Sequence, residues 1–525
     1  MKDVLRILPN GSLLTSRGVQ WNGIHLEYYC HPPYEIPENS SKQHLILRNT
    51  SSRQLMKEQS KINRREFLTG ATALGSLGMT VGLAVPAIGR QSKENLPSRG
   101  EFVIRNAYVM TMDSALGDIA NGDVYVRNGK IIAVGTSLVA PTAQNINGQN
   151  MIVLPGLIDT HWHLWTSLLR SLSGDNEKQG YFRMTERLGK VYIPEDMYRS
   201  ARLATAEALF SGITTIHDFN HNVRTLEYAE ASIRAIADAG IRARFSYGYY
   251  KDQALEEATH FDSIASLHRE MKNSQNNLLS LGFAPREVSV YKMYRRDWEM
   301  ARNIGLPITV HASSSLSETG EINQLSNEGL LGKDVLIVHA TVATPKEMKQ
   351  LAKSGAAVSL TPFTEMRTGF GFPPIQELLA AGVLVSLGVD TTALSGNADI
   401  FAVMKVIQNV GNVHAQSEFG LSPRRVLELA TINGAQAMGI DDRVGSLKPG
   451  KRADLIMVST ENLNMSVFTD PAHLLVEAAQ PSNVDTVIVD GRILKRNGQL
   501  TALDNKQIIQ EARNSLIAIR LRANW

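Results

Sequence analysis

Eleven residues, Val153-Leu-Pro-Gly-Leu-Ile-Asp-Thr-His-Trp-His163, constrain this chain more than any others. An apolar run from Met151 to Ile158 carries a Pro-Gly step and leads into His161-x-His163. In an extended strand alternate side chains share a face, so two histidines two apart at its end point into one small volume. A divalent metal needs that arrangement from two of its ligands. Later apolar runs end in further candidate ligands, His311, His339 and Asp390. The remaining residues then read as the scaffold that gathers these five.

From about residue 150 to 440, apolar runs alternate with helical stretches, the pattern of βα units around a parallel sheet. Eight strands are expected, at 151–158, 213–219, 241–249, 278–284, 307–312, 335–341, 356–361 and 383–391. Eight such units predict an α/β fold, a (β/α)8 TIM barrel over 151–439. An open doubly wound sheet is the alternative, weakened because no Gly-rich phosphate loop follows the first run. The candidate ligands fall at the C-terminal ends of four runs, where barrel enzymes keep their chemistry. Residues 100–150 and 440–500 read as short strands with turns at Asn128-Gly129 and Asp490-Gly491. Neither set can close a core alone, so together they predict one small β-sandwich domain that brackets the barrel. Within 501–525, the apolar spacing from about Asn505 to Arg522 predicts a helix that packs on the rest.

Composition narrows the chemistry. The chain has 525 residues, 43% hydrophobic and 20% charged, enough for a large core. A net charge of +3 gives no reason to expect nucleic acid or a membrane surface as partner. The one cysteine, Cys30, excludes an intrachain disulfide framework and a thiolate-rich metal site. Any metal must be held by histidine and carboxylate.

The first ninety residues read differently. Asn63-Arg64-Arg65-Glu66-Phe67-Leu68-Thr69 precedes a weakly apolar, Gly/Ala-rich stretch that ends near Val85-Pro86-Ala87. This resembles a twin-arginine export signal, assigned to 56–90. The five glycines from Gly70 to Gly89 argue against a stable membrane span. Residues 1–55 lack an amphipathic period, and Met56 looks like a natural start, so 1–55 read as a disordered or upstream lead. The expected partner is the export machinery, and the expected location is periplasmic or extracellular.

Taken together, the motifs resemble the amidohydrolase superfamily, in the branch of cytosine, guanine and adenosylhomocysteine deaminases and chlorohydrolase-like triazine hydrolases. The matching residues are Pro155–His163, Gly212-Ile-Thr-Thr215, Pro307-Ile-Thr-Val-His311, Val338-His339-Ala, Leu387-Gly-Val-Asp390, Ala430–Ala437 and Val444–Leu455. The resemblance implies one divalent metal ion, zinc first and iron as the alternative, held by His161, His163, His311 and Asp390. It implies that Asp390 also accepts a proton from the attacking water, and that His339 polarises the substrate or steadies the addition intermediate. It further implies a small-molecule substrate and a homo-oligomer. The physical chemistry agrees: neutral imidazoles leave the ion its double charge, which brings the pKa of bound water to roughly 7.

Two departures stand out. The deaminases carry a glutamate three residues after the strand-five histidine, where this chain has Ser314. Glu365, after the seventh strand, could bring a carboxylate to the mouth instead; pairing with Arg367 is the bland alternative. Relatives with two metals use a lysine at the end of strand four, and Leu281-Gly-Phe-Ala284 has none. Trp165 and His217 are candidates for the substrate pocket, with packing or support of the ligands as the competing roles. The reading is a metal-dependent hydrolase of non-peptide carbon–nitrogen bonds in amino-substituted heterocycles or amides. The alternatives are displacement of chloride, thiolate or alkylamine, and a metal-holding binding protein without turnover.

Overall fold

The computed structural model describes residues 96–274 and 277–525. It also describes three two-residue strands, Arg6–Ile7, Leu13–Leu14 and Gln20–Trp21, in a separate unit spanning Met1–Leu83. The export signal expected over 56–90, and the lead before it apart from those strands, lie outside the described residues.

Eight parallel strands form the centre: Leu157–Trp162, Ile213–Asn220, Arg242–Tyr247, Leu279–Phe283, Ile308–Ala312, Val335–His339, Ala357–Leu360 and Val385–Leu387. Each pairs with the next in sequence, and the first meets the eighth through a bridge between Trp162 and Asp390. This is the expected barrel. Helices between the strands cover it, and their ends follow local chemistry. In Pro345–Ser354 the Thr344 hydroxyl accepts the Glu347 N–H at 3.3 Å, and the Glu347 carboxylate accepts the Thr344 N–H at 2.8 Å. That reciprocal cap starts the helix, and Gly355, at φ 75°, stops it.

The first strand is a correction. The apolar run expected as one strand over 151–158 is two strands in two sheets. Met151–Pro155 pairs antiparallel with Leu455–Ser459 and parallel with Glu101–Met110, outside the barrel. Leu157–Trp162 is the first barrel strand. Gly156 is the crossing point, with its N–H on Asp454 O (3.1 Å) and the next N–H, of Leu157, on Gly212 O (3.1 Å). A Cβ at Gly156 would lie 2.1 Å from the Thr214 side chain, so only glycine lets the two strands pass this closely.

Segments from both flanks do build one mixed nine-stranded sheet, with strands from Glu101–Met110 to Met151–Pro155 joined to strands from Leu455–Ser459 to Gln499–Leu500. Phe102, Ile104, Val124, Val126, Val153, Leu455, Met457 and Ile488 form its own apolar core. Arg242, on the third barrel strand, ties the barrel to this sheet through a two-point ion pair with Asp454, at 2.7 and 3.0 Å, both side chains buried. The terminal helix Asn505–Ala523 packs Ile508, Ala512 and Ile519 inward, leaves Ile509 and Leu521 exposed, and pairs Arg522 with Asp196.

Candidate active site

The barrel closes on its own candidate ligands. The Asp390 N–H donates to His161 O, and the His163 N–H donates to Asp390 O, each at 2.7 Å. Asp159 adds a buried staple: its carboxylate accepts the His161 N–H at 2.9 Å and the Val389 N–H at 3.2 Å. Gly388 permits the approach, because a Cβ there would lie 2.7 Å from His161 O. Several strand ends run in left-handed backbone: Ser313 (φ 53°), His339 (φ 74°) and Asp390 (φ 64°). Non-glycine residues adopt this conformation at a cost of order 1 kcal/mol, tolerated where it aims a side chain.

These constraints converge the side chains. His161 Nε2 and His163 Nε2 each lie 3.2 Å from Asp390 Oδ1, and His311 Nε2 lies 3.3 Å from His161 Nε2. All ligand nitrogens of His161, His163 and His311 fall within 4.8 Å of one another. An ion bonded tetrahedrally at 2.0–2.1 Å separates its ligand atoms by about 3.3 Å, so the donor set has the right spacing. His163 Nδ1 donates to Phe219 O at 2.7 Å, which leaves Nε2 bare for a metal. Burial lowers the His161 pKa to about 3 and holds His311 well below the ordinary histidine value, so both stay neutral as ligands must. Burial alone would raise Asp390, but the His161 and His163 imidazoles, each 3.2 Å away, outweigh it, and the carboxylate sits well below its usual range.

His339 stacks on His311, with ring centroids 5.4 Å apart. Its Nδ1 lies 3.3 Å from Glu365 Oε1 and 3.1 Å from the Thr361 hydroxyl, which leaves Nε2 for the cavity. Burial opposes charging this ring, but the bond to Glu365 and the fields of Asp390 and Glu365 prevail, and its pKa is raised.

A cavity of about 320 Å³ opens over His163, His311, His339 and Asp390, in the size range of small-molecule sites. Of the three candidates for substrate contact, the structure places none on its wall. Glu365 is fully buried on the short helix Pro362–Arg367, which turns its carboxylate inward onto Thr361 N–H and His339. It does not pair with Arg367, whose Nη1 donates to Leu394 O. His217 lies inside the barrel, donating from Nδ1 to Thr160 O and accepting the Ser246 hydroxyl at Nε2. Trp165 is buried in packing and donates its indole N–H to His221 Nδ1 at 2.8 Å. That bond holds His221, which lines the cavity and stacks on His163 at 3.9 Å.

Other wall residues carried no signal in the sequence. Tyr181, Phe182 and Phe370 give apolar surface; Lys251, Glu287 and Glu318 give charge. All lie on segments between barrel strands, where neither periodicity nor motif marks them. The nearest hint was position: Glu287 comes soon after the fourth strand, Glu318 seven residues past His311. Ser314 does line the cavity, and Lys292, past strand four, is exposed on a turn.

The profile of the amidohydrolase family matches residues 152–494. The chain is 29% identical over 450 residues to a 5'-deoxyadenosine deaminase of Methanosarcina mazei, covering 81% of this chain and 99% of the relative. It is 26% identical over 435 residues to a 5-methylthioadenosine/S-adenosylhomocysteine deaminase of Caldicellulosiruptor saccharolyticus, covering 79% and 97%. In fold it is similar to a zinc-bound adenosine deaminase of Xanthomonas campestris (TM-score 0.74, 23% identity, 81% and 100% covered). An atrazine chlorohydrolase of Arthrobacter aurescens with zinc is also similar (TM-score 0.71, 22% identity, 79% and 100% covered). With the profile spanning barrel and flanking sheet, the chain belongs to the amidohydrolase family, as a metal-dependent hydrolase of carbon–nitrogen bonds other than peptide bonds.

Proposed function

We propose that the protein deaminates an adenosine-type substrate, a purine nucleoside whose exocyclic amine leaves as ammonia. The observation that carries this is the convergence of three imidazoles and Asp390 at one cavity, with His339 beside them. Deaminases of 5'-deoxyadenosine and 5-methylthioadenosine among the relatives, matched over nearly their whole length, support the substrate class.

His161, His163, His311 and Asp390 would hold a single ion, which we take to be zinc. Among the described residues this is the one cluster with metal-ligand spacing, and the fourth strand offers no bridging lysine. When bound, the ion would acidify a neighbouring water to a pKa of roughly 7. Asp390, held ionised by the adjacent imidazoles, takes a proton from the attacking water and delivers it to the leaving nitrogen. His339, its pKa raised by the bond to Glu365, holds the oxygen that adds to the ring carbon and so steadies the addition intermediate. Glu365 thereby acts through His339; Trp165 and His217 keep His221 and the barrel interior in place.

Ammonia release from adenosine, 5'-deoxyadenosine and 5-methylthioadenosine, set against chloride release from a chlorinated triazine, tests this reading. Ammonia from the nucleosides supports it; chloride release alone would move the protein to the displacement reading. No turnover by fully metal-loaded protein would favour a binding protein.

The same proposal places the enzyme in the periplasm or outside the cell after twin-arginine export, on the strength of Arg64-Arg65 and the weakly apolar stretch after them. Among the described residues no helix is long and apolar enough to cross a membrane. A homo-oligomer is part of the reading, supported by Ile509, Ile517 and Leu521 exposed on the terminal helix. Cell fractionation with Arg64→Lys/Arg65→Lys tests export, and sedimentation tests assembly.

A further inference from the structure

Deamination at a ring carbon needs a proton that the groups assigned so far do not supply. When water adds across a ring C=N bond, negative charge builds on the ring nitrogen, and an acid must protonate it as the C–O bond forms. Asp390 is engaged with the proton of the attacking water, and His339 with the oxygen that adds to the ring carbon. Ser314, at the end of the fifth strand, offers only a hydroxyl, too weak an acid for the task.

Three more carboxylates line the cavity, and they are not equivalent. Glu186 sits on the outer rim, 41% exposed, 3.8 Å from both Arg183 and Lys190. Glu287 accepts the Tyr249 hydroxyl at 2.8 Å, and its field falls on Lys251. Glu318 is held at the end of the fifth strand itself. Its Oε2 accepts the backbone N–H of Ser314 at 3.0 Å and its Oε1 the Ser315 hydroxyl at 3.3 Å. Glu318 shares the cavity wall with His311 and His339.

We propose that Glu318 is the acid that protonates the ring nitrogen of the substrate, supplied by a loop where the strand provides only Ser314. This rests on the deaminase reading above. The step balances without another reagent. As the water oxygen bonds to the ring carbon, one water proton passes to Asp390 and the Glu318 proton passes to the ring nitrogen. Asp390 then gives its proton to the amine, the C–N bond breaks and ammonia leaves. The second water proton, released as the C–O bond becomes a carbonyl, returns to the Glu318 carboxylate.

Glu318→Gln separates chemistry from architecture, because the amide oxygen still accepts the Ser314 N–H but the side chain carries no acidic proton. Glu318→Asp retains the acid and withdraws it by one methylene. In protein shown by metal analysis to be fully loaded, Glu318→Gln is expected to lower kcat for nucleoside deamination by about 10²–10⁴-fold. KM should stay within about threefold, and the limb of the pH–kcat profile that reports the acid should vanish. Glu318→Asp should recover part of the rate and restore that limb. A Glu318→Gln kcat within about threefold of wild type overturns the proposal and leaves the deaminase reading intact. A low kcat that comes with metal loss, or with an unaltered pH profile, marks Glu318 as a loop brace and overturns it equally. Wild-type protein that is fully loaded yet inert on every nucleoside overturns the deaminase reading, and this proposal with it.

Discussion

Asp390 does three things at once: it faces His161 and His163, accepts and donates at the barrel seam, and sits in left-handed backbone. Only its carboxylate can take a proton, so Asp390→Asn should retain the backbone seam yet lose about 10²–10⁴-fold in kcat, read by ammonia release. Unchanged turnover would remove it as the base. Nearby Asp218 makes a different expectation. It is fully buried, accepts the Leu164 N–H and an Asn220 amide proton, and burial pushes its pKa up to about 7. A folded-state pKa above the unfolded value favours folding at low pH, and that favour is lost as pH rises through the folded value. Asp218→Asn should therefore gain stability over wild type as pH rises from about 4 to 7, by about 1.4 kcal/mol per unit. Denaturant titrations at pH 5 and pH 8 check this; a difference that is constant with pH would contradict it.

At the scale of strands and helices, the joints matter most. Arg242 and Asp454 join the third barrel strand to the flanking sheet as a buried pair. Arg242→Met leaves the Asp454 carboxylate without its cation and should cost about 3–5 kcal/mol in unfolding free energy. Gly388→Ala would push a methyl against the backbone of His161, so it should lower both Tm and metal affinity. A Gly388→Ala protein with wild-type metal content would argue that the seam does not set the site. The same joints explain what was legible in the sequence. The five groups His161, His163, His311, His339 and Asp390 could be read because ionisable residues ending apolar runs have few structural excuses. The run 151–158 reads as one strand because it is apolar and buried throughout: Val153 faces the core of the flanking sheet, while Ile152, Leu154 and Leu157 share the large core of the barrel. Only the contact of Gly156 with Thr214, distant in sequence, divides it. Glu365 turns inward for a reason that spacing does not show: Pro362 starts a short helix there, where spacing alone predicts a loop at the mouth. Glu318, Glu287 and Lys251 lie on connecting segments, whose path depends on the whole barrel.

For the molecule as a whole, the barrel seam and the candidate metal cluster are one structure, so ligand binding and fold stability should be coupled. Anything that binds the native state alone raises its stability by mass action. Chelation should then lower Tm and abolish turnover, and zinc should restore both; a Tm indifferent to chelator would separate the ion from the fold. The decisive measurement is metal content per chain by plasma mass spectrometry, with ammonia release from 5'-deoxyadenosine assayed on the same samples. Wild-type protein is expected to carry ~one equivalent and to turn over, while His161→Ala/His163→Ala carries almost none and is inert. Full turnover with far less than one equivalent, or a double variant that keeps both metal and activity, would contradict the assignment.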